Sequence, residues 1–252
     1  MKRILFVVML VAIFSFAVMA QDAKTPALTL SRTGNAARSS GGVTWGLPSV
    51  SKTIVFYGGD INLSDPNAQA FANGNTLAIS SAQTYAAVKA PASGKTVVSG
   101  TFGNNTAMLG VFDPPEGTYD VRIGVSDGNG GTSLIHGTAA QTTTLTGRNP
   151  FGLVEYTTAV NFPKALTAQN GTTYWINENP QCTNTGDENC NGEFYYLSNT
   201  TQETNGVNAG AQVAGQLYLN SNYFGFTWIN WCDSSLGQNS KQCARASFGL
   251  TK

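Results

Sequence analysis

Two glutamates, Glu155 and Glu178, lie on or beside aromatic strands in a sequence with only 14 acidic residues. Two carboxyl groups a few ångströms apart can hydrolyse a glycosidic bond, one as the acid and the other as nucleophile or base. These residues are therefore the candidate catalytic pair if the chain is an enzyme. A catalytic triad with a serine or cysteine nucleophile would need His136, the single histidine of the sequence. Because the sequence has no G-x-S-x-G motif around a serine nucleophile, we expect His136 to have a structural role.

Residues 187–193 read DENCNGE and reproduce the first half of an oxygen-ligand calcium loop. The candidate calcium ligands are Asp187, Asn189, Asn191 and Glu193. The twelfth position is Ser198, where the calcium loop has a bidentate Glu, so we expect weak binding at most. A disulfide-closed Asn/Gly turn is the stronger interpretation, because these residues favour turns without a metal. No cofactor is required, and calcium is the only candidate.

Aromatic side chains give a third kind of chemistry, since Trp and Tyr rings stack on the apolar faces of sugars. The candidate ligand-binding residues are Trp175, Trp231, Tyr195 and Tyr196, and Trp228 lies on a neighbouring aromatic stretch. Trp175 and Trp231 are predicted to face away from the inner sides of their strands. Packing in the core is the competing interpretation for each of these rings.

The four cysteines, Cys182, Cys190, Cys232 and Cys243, all lie in the last third of the sequence. Each successive pair flanks a polar loop, so two local disulfides are the simplest of the three possible connectivities. Their spacing is wider than that of zinc ribbons. In the chain-entropy model each closed loop would stabilise the fold by about 2–3 kcal/mol.

Residues 1–20 have the pattern of a secretory signal peptide, with Lys2 and Arg3 before an apolar stretch that ends at Ala20. Disulfides fit that export, because they form in oxidising compartments. Without Lys2 and Arg3 the chain has 12 basic and 14 acidic residues, close to −2. We therefore expect a secreted, extracellular protein, compatible with association at the cell surface. We expect no nucleic-acid partner and no membrane span in the mature chain.

The composition predicts the elements that must position these residues. Only 11% of the residues are charged, 28 are Gly, and blocks of helix-forming residues are missing. Short apolar runs separated by Gly, Asn, Asp and Pro are typical of strands. The predicted strands after the linker are 52–57, 76–80, 95–102, 106–112, 118–125, 133–137, 151–162, 172–177, 193–197, 212–219, 223–231 and 244–248. We expect an all-β protein: an N-terminal strand and flexible linker at 21–44, then a single antiparallel β-sandwich domain of jelly-roll type, with two disulfides, at 45–252.

Two segments, 115–123 and 170–176, begin a strand with Gly-Thr and place a tyrosine early on it, at Tyr119 and Tyr174. This pattern resembles secreted bacterial β-sandwich and jelly-roll surface modules of the choice-of-anchor and PEP-CTERM kinds. The resemblance covers about two strands and implies the fold. The sorting segment of those proteins is missing here, so we expect release or non-covalent retention at the surface.

Together these features favour a non-catalytic extracellular binding or surface protein whose partner is a glycan or another surface protein. Two alternatives remain open. The strand at 27–31, on its flexible tether, could complete the sheet of another copy and build a filament or surface layer. The other alternative is a small secreted glycoside hydrolase that uses Glu155 and Glu178.

Overall fold

The computed structural model describes residues 52–66, 68–74, 82–107, 116–124, 131–181, 194–199, 205–221, 226–230 and 245–252. The predicted all-β class is confirmed, because these residues are mostly strand with almost no helix. No helix among them is long and apolar enough to span a membrane. The predicted signal peptide and the strand and linker at 21–44 lie outside the described residues.

The strands pair antiparallel in one curled sheet that forms a half-barrel. Along the sheet their order is β1-β13-β4-β7-β6-β5-β8-β3-β10-β11, and β9 pairs with β2, β12 and β4. The strands are β1 (Ile54–Tyr57), β2 (Gln69–Ala72), β3 (Ala82–Lys89), β4 (Thr96–Ala107), β5 (Glu116–Ile123), β6 (Thr132–Leu145), β7 (Glu155–Ala168), β8 (Thr173–Gln181), β9 (Phe194–Asn199), β10 (Gln212–Ser221), β11 (Phe226–Asn230), β12 (Arg245–Ala246) and β13 (Phe248–Thr251).

The curl of the sheet depends on β6, which changes its partner along its length. Residues 132–140 pair with β5, whereas residues 141–145 pair with β7. The two sides of the sheet therefore face each other, and β5 and β8 contact β7 across the interior.

The concave side of the curled sheet, called the inner face below, holds the apolar core. Alternate residues of β3, β5, β7, β8 and β13 supply much of it, as the period-two pattern of β5 predicts for Tyr119 and Val121. The Tyr119 ring lies 5.0 Å from that of Phe162 on β7, measured between centroids. At the β1 edge the rings of Phe56 and Phe248 are 5.1 Å apart. The core thus joins the two sides of the half-barrel.

The opposite, outer face is also buried where β1, β13 and β4 meet. There the rings of Tyr57 and Phe102 are 5.4 Å apart. The Phe102 ring lies directly over Gly249, where an added Cβ would be 2.1 Å from a ring carbon. Only glycine allows this close approach. Ser247 Oγ donates to the carbonyl of Gly59 at 2.6 Å, which ties the segment after β1 to this face.

Candidate functional site

Glu155 begins β7, and its side chain has no exposed surface. The Arg148 guanidinium donates to both of its carboxylate oxygens, and Thr146 Oγ1 donates to Oε2 at 3.1 Å. Burial raises the pKa of Glu155, while its hydrogen bonds and ion pair with Arg148 act in the opposite direction. This carboxylate is therefore held by an internal ion pair and is closed to a substrate.

Arg148 also forms an ion pair with Asp60, which is 2% exposed. Asp60 accepts further hydrogen bonds from Tyr57 Oη at 2.5 Å and from Asn205 Nδ2 at 2.7 Å. Burial, and then the charge of Asp60, raise the pKa of Tyr57. Asn104 Nδ2 donates to Tyr57 Oη at 2.6 Å. These bonds join the segments outside the sheet to β1, β4 and β7, which is a structural role.

Glu178, on β8, is as deeply buried as Glu155 but has no cationic partner among the described residues. Its Oε2 accepts a hydrogen bond from Thr158 Oγ1 at 3.0 Å, and none of those residues donates to its Oε1. Burial raises the pKa of Glu178 to about 8. The folded protein therefore holds this carboxyl group in its neutral form at pH 7.

The structure does not bring the two glutamates together, because they lie on opposite faces of the sheet. Neighbouring residues of β7 show this: Thr157 Oγ1 donates to Asn104 Oδ1 on the outer face, whereas Thr158 Oγ1 donates to Glu178 on the inner face. Side chains alternate between faces along a strand, so Glu155 shares the side of Thr157. A glycosidase needs both carboxyl groups on one bond, and this pair does not meet that requirement.

Trp175 lies on the outer face of β8, since its neighbours Tyr174 and Ile176 belong to the inner core. This is the side predicted for it, but the ring is only 5% exposed. Its partners in the register are Ala87 on β3 and Arg122 on β5. A sugar-stacking ring must be open to solvent, so Trp175 does not provide such a platform in this structure.

Beside Trp175 lies a hydrogen-bonded cluster around Asp120. Asp120 Oδ2 accepts from Tyr85 Oη at 2.9 Å and from Arg122 Nε at 2.6 Å, and its Oδ1 accepts from Ser133 Oγ at 2.7 Å. Burial and the charge of Asp120 raise the pKa of Tyr85. His136, exposed on β6, is the register partner of Asp120. The charges of this cluster are paired internally.

The remaining predicted site residues concern positions that the structure does not describe fully. Tyr195 and Tyr196 belong to β9, and Trp228 belongs to β11, but their side chains are outside the description. Outside the described residues altogether are Trp231, Asp187, Asn189, Asn191, Glu193, Cys182, Cys190, Cys232 and Cys243. The predictions of ligand binding by Trp231, of calcium and of disulfides therefore stay predictions.

A cavity of about 840 Å³ opens at one end of the half-barrel. It lies where β1, β3, β4, β5, β7, β8 and β13 start or finish, so side chains from the inner face form its walls. Ligand pockets commonly have volumes of roughly 300–1,000 Å³. The walls are largely apolar and include Phe56, Val98, Leu166, Tyr174, Ile176 and Leu250.

The space exists because many residues at this end of the half-barrel have small side chains. They come from the turn after β3, the end of β7 and the turn before β10, and they are Ala90, Ala92, Ala168, Ala209, Gly210 and Ala211. The Tyr174 hydroxyl accepts a hydrogen bond from Gln169 N at 2.7 Å and so holds the β7–β8 turn against the wall. Asn208 Nδ2 donates to Val55 O at 2.9 Å on the opposite side.

The charged side chains of the described lining are all cationic. Lys89, Lys95 and Lys252 line the cavity, and all three are exposed. Among the described lining residues there is no Asp or Glu. The mouth thus carries positive charge above an apolar interior.

Comparison of the chain with protein-family models, curated proteins and solved structures found no match. The described walls contain no acidic side chain, histidine or cysteine, and their interior offers mainly apolar surface. Such walls retain an apolar group by removing it from water.

Sequence reasoning missed this cavity. The available signal was the segment 89–95, KAPASGK, which places two lysines on either side of a turn in a chain with few charges. The apolar walls come from seven strands far apart in the sequence, and no local pattern reveals them.

Proposed function

We propose that this chain is a secreted, non-catalytic extracellular binding protein that takes an apolar ligand into the cavity of the half-barrel. The observation that carries the proposal is the cavity itself, about 840 Å³ in volume and lined by apolar side chains of the inner face. Removal of apolar ligand surface from water contributes about 25 cal/mol per Å². A ligand with a buried hydrocarbon chain can therefore be retained without many specific hydrogen bonds.

A glycan fits these walls less well than an apolar ligand. Sugar hydroxyls taken out of water need partners, and unpaired polar groups cost about 1–3 kcal/mol each. Apart from the lysines, the described lining offers four hydrogen-bonding side chains, Thr53, Thr96, Tyr174 and Asn208. Tyr174 and Asn208 already bond to backbone atoms. Recognition of a glycan, or of another surface protein, remains a prediction for Trp231, Tyr195 and Tyr196. We also propose that the protein can associate with the cell surface, where the cavity would be outside the cell.

We also propose a specific fold type and two disulfides. A β-sandwich of jelly-roll type is supported by the two sides of the curled sheet, which pack around a common apolar core. We propose local disulfides Cys182–Cys190 and Cys232–Cys243 as its covalent staples. Mass mapping of the non-reduced protein after proteolysis tests this pairing, and a cross-linked peptide that joins Cys182 to Cys232 or Cys243 would contradict it.

Titration of the purified protein with the neutral fluorescent probe N-phenyl-1-naphthylamine tests the proposed function. The informative variant is Ala168→Trp, because Ala168 lines the cavity. Ala165→Trp is the matched control, since Ala165 lies on the same strand but is exposed and outside the lining. We expect saturable binding by the wild type and the control, and a dissociation constant at least about tenfold higher for Ala168→Trp.

Two results would refute the proposal. One is the absence of saturable binding of the probe by the folded wild type. The other is equal affinity of the Ala168→Trp and Ala165→Trp variants, which would place any bound probe elsewhere. Circular dichroism of each variant verifies that the β-structure is retained.

A further inference from the structure

We infer that the ligand of this cavity is a single-chain amphiphile with an anionic headgroup, such as a free fatty acid, and that Lys89 and Lys95 bind the headgroup. This inference rests on the proposed function and adds the chemical class of the ligand. The hydrocarbon chain would lie along the inner face, with the headgroup at the mouth.

Lys89 and Lys95 lie at the mouth of the cavity. Lys89 ends β3, and Lys95 directly precedes β4, so they flank the connection that crosses the open end of the half-barrel. The connection turns at Gly94, whose φ of +88° is costly for residues with a side chain. It is also bonded to the β7–β8 turn, because Ala90 N donates to Thr172 O and Gly171 N to Pro91 O, both at 2.9 Å. The backbone therefore fixes both lysines at the mouth.

No acidic side chain among the described lining residues neutralises the charges of these lysines. Three of the acidic residues described outside the lining have cationic partners, since Asp60 and Glu155 pair with Arg148 and Asp120 pairs with Arg122. Glu178 is fully buried beside Thr158, and Glu116 lies at the start of β5, outside the lining. No described acidic residue lines the cavity. An anionic group at the mouth thus meets uncompensated positive charge.

The mouth of the cavity is cationic, whereas its interior is apolar. A free anion such as phosphate would form ion pairs with the lysines but would not contact the apolar walls. A neutral hydrocarbon would contact the walls but would form no ion pair with the lysines. Two exposed ion pairs are individually weak, so they select the headgroup while the chain supplies most of the affinity. An amphiphile uses both parts of the site.

Displacement of N-phenyl-1-naphthylamine by dodecanoate and by dodecanol, both below their aggregation concentrations, tests this inference. We expect dodecanoate to displace the probe at a concentration roughly tenfold lower than dodecanol, as two rim ion pairs allow. In the double variant Lys89→Gln/Lys95→Gln, dodecanoate should lose most of its advantage over dodecanol, because only Lys252 then remains as a lysine of the described lining. The control Lys164→Gln, an exposed lysine on β7 outside the lining, should keep the tenfold preference.

Salt provides an independent readout. Exposed charge pairs are screened, so 1 M sodium chloride should reduce the preference for dodecanoate in the wild type and have a smaller effect on the double variant. Equal displacement by dodecanoate and dodecanol in the wild type would refute the headgroup inference while leaving the proposed function intact. A preference that the double substitution leaves undiminished would also refute it. Failure of the probe to bind at all would instead refute the proposed function.

Discussion

The buried carboxyl group of Glu178 makes the stability of this protein depend on pH in a direction that can be calculated. Its pKa rises from an ordinary value of 4.5 to about 8 in the folded state, because it is fully buried and, among the described residues, only the Thr158 hydroxyl donates to its side chain. The folded state binds this proton more tightly than the unfolded state does. The contribution to the free energy of unfolding is therefore fully present below about pH 4.5 and is lost as the pH rises towards 8.

The size of the effect follows from the same pKa values. Stability should fall by about 1.4 kcal/mol per pH unit across this window, or by about 5 kcal/mol in total. Glu178→Gln carries no proton to release, so this part of the slope should vanish. Its additional N–H group needs an acceptor and costs about 1–3 kcal/mol if it finds none, at every pH. The variant should thus be more stable than the wild type at pH 8.5, by about 2–5 kcal/mol.

Urea unfolding at pH 5, 6.5, 7.5 and 8.5 measures this difference. Subtraction of the variant from the wild type isolates Glu178, because all other titrating groups are common to both proteins. Glu116→Gln, an exposed glutamate on β5, is the control and should retain the wild-type slope. If the wild type and Glu178→Gln show the same pH dependence, the folded protein does not hold a proton on this group and the reasoning fails.

Two further substitutions, one of them with a control variant, test other parts of the structure by urea unfolding at pH 7. Glu155→Gln should lower the free energy of unfolding by about 3–5 kcal/mol, because it leaves the buried Arg148 guanidinium without one of its two carboxylate partners. A variant more stable than the wild type would contradict the role of this ion pair. Gly249→Ala should destabilise the fold by about 1–3 kcal/mol or more, since the added Cβ would lie 2.1 Å from a ring carbon of Phe102. Gly210→Ala, which has open space at the Cβ position, should change stability by less than about 1 kcal/mol, and equal losses in both glycine variants would refute the packing argument.

The strand predictions succeeded where side chains alternate and failed where they do not. The alternation of β5 predicted correctly that Tyr119 and Val121 face the core. The strand β3 was not predicted, because AQTYAAVK is rich in alanine, which has little intrinsic preference for strands. It forms because β8 and β10 pair on its two sides. Likewise β4 runs unbroken through residues 103–105, where Gly and Asn predicted a turn.

The candidate site shows the same division between local and tertiary information. The sequence indicated Glu155 and Glu178 as the candidate catalytic pair, but both are fully buried and they lie on opposite faces of the sheet. It did not indicate that one pairs with Arg148 while the other has no cationic partner among the described residues. That difference depends on which face of the sheet each side chain occupies, and the faces are assigned only when the strands are paired and curled.

The all-β class is thus determined by the sequence itself, because few helix-forming residues and frequent turn residues leave the backbone no other regular structure to adopt. The open end of the half-barrel was decided only by tertiary structure. Small side chains from distant strands leave an apolar volume there, and one connection places Lys89 and Lys95 at its mouth. A cavity is a property of surfaces that meet in space, and so no stretch of sequence contains it.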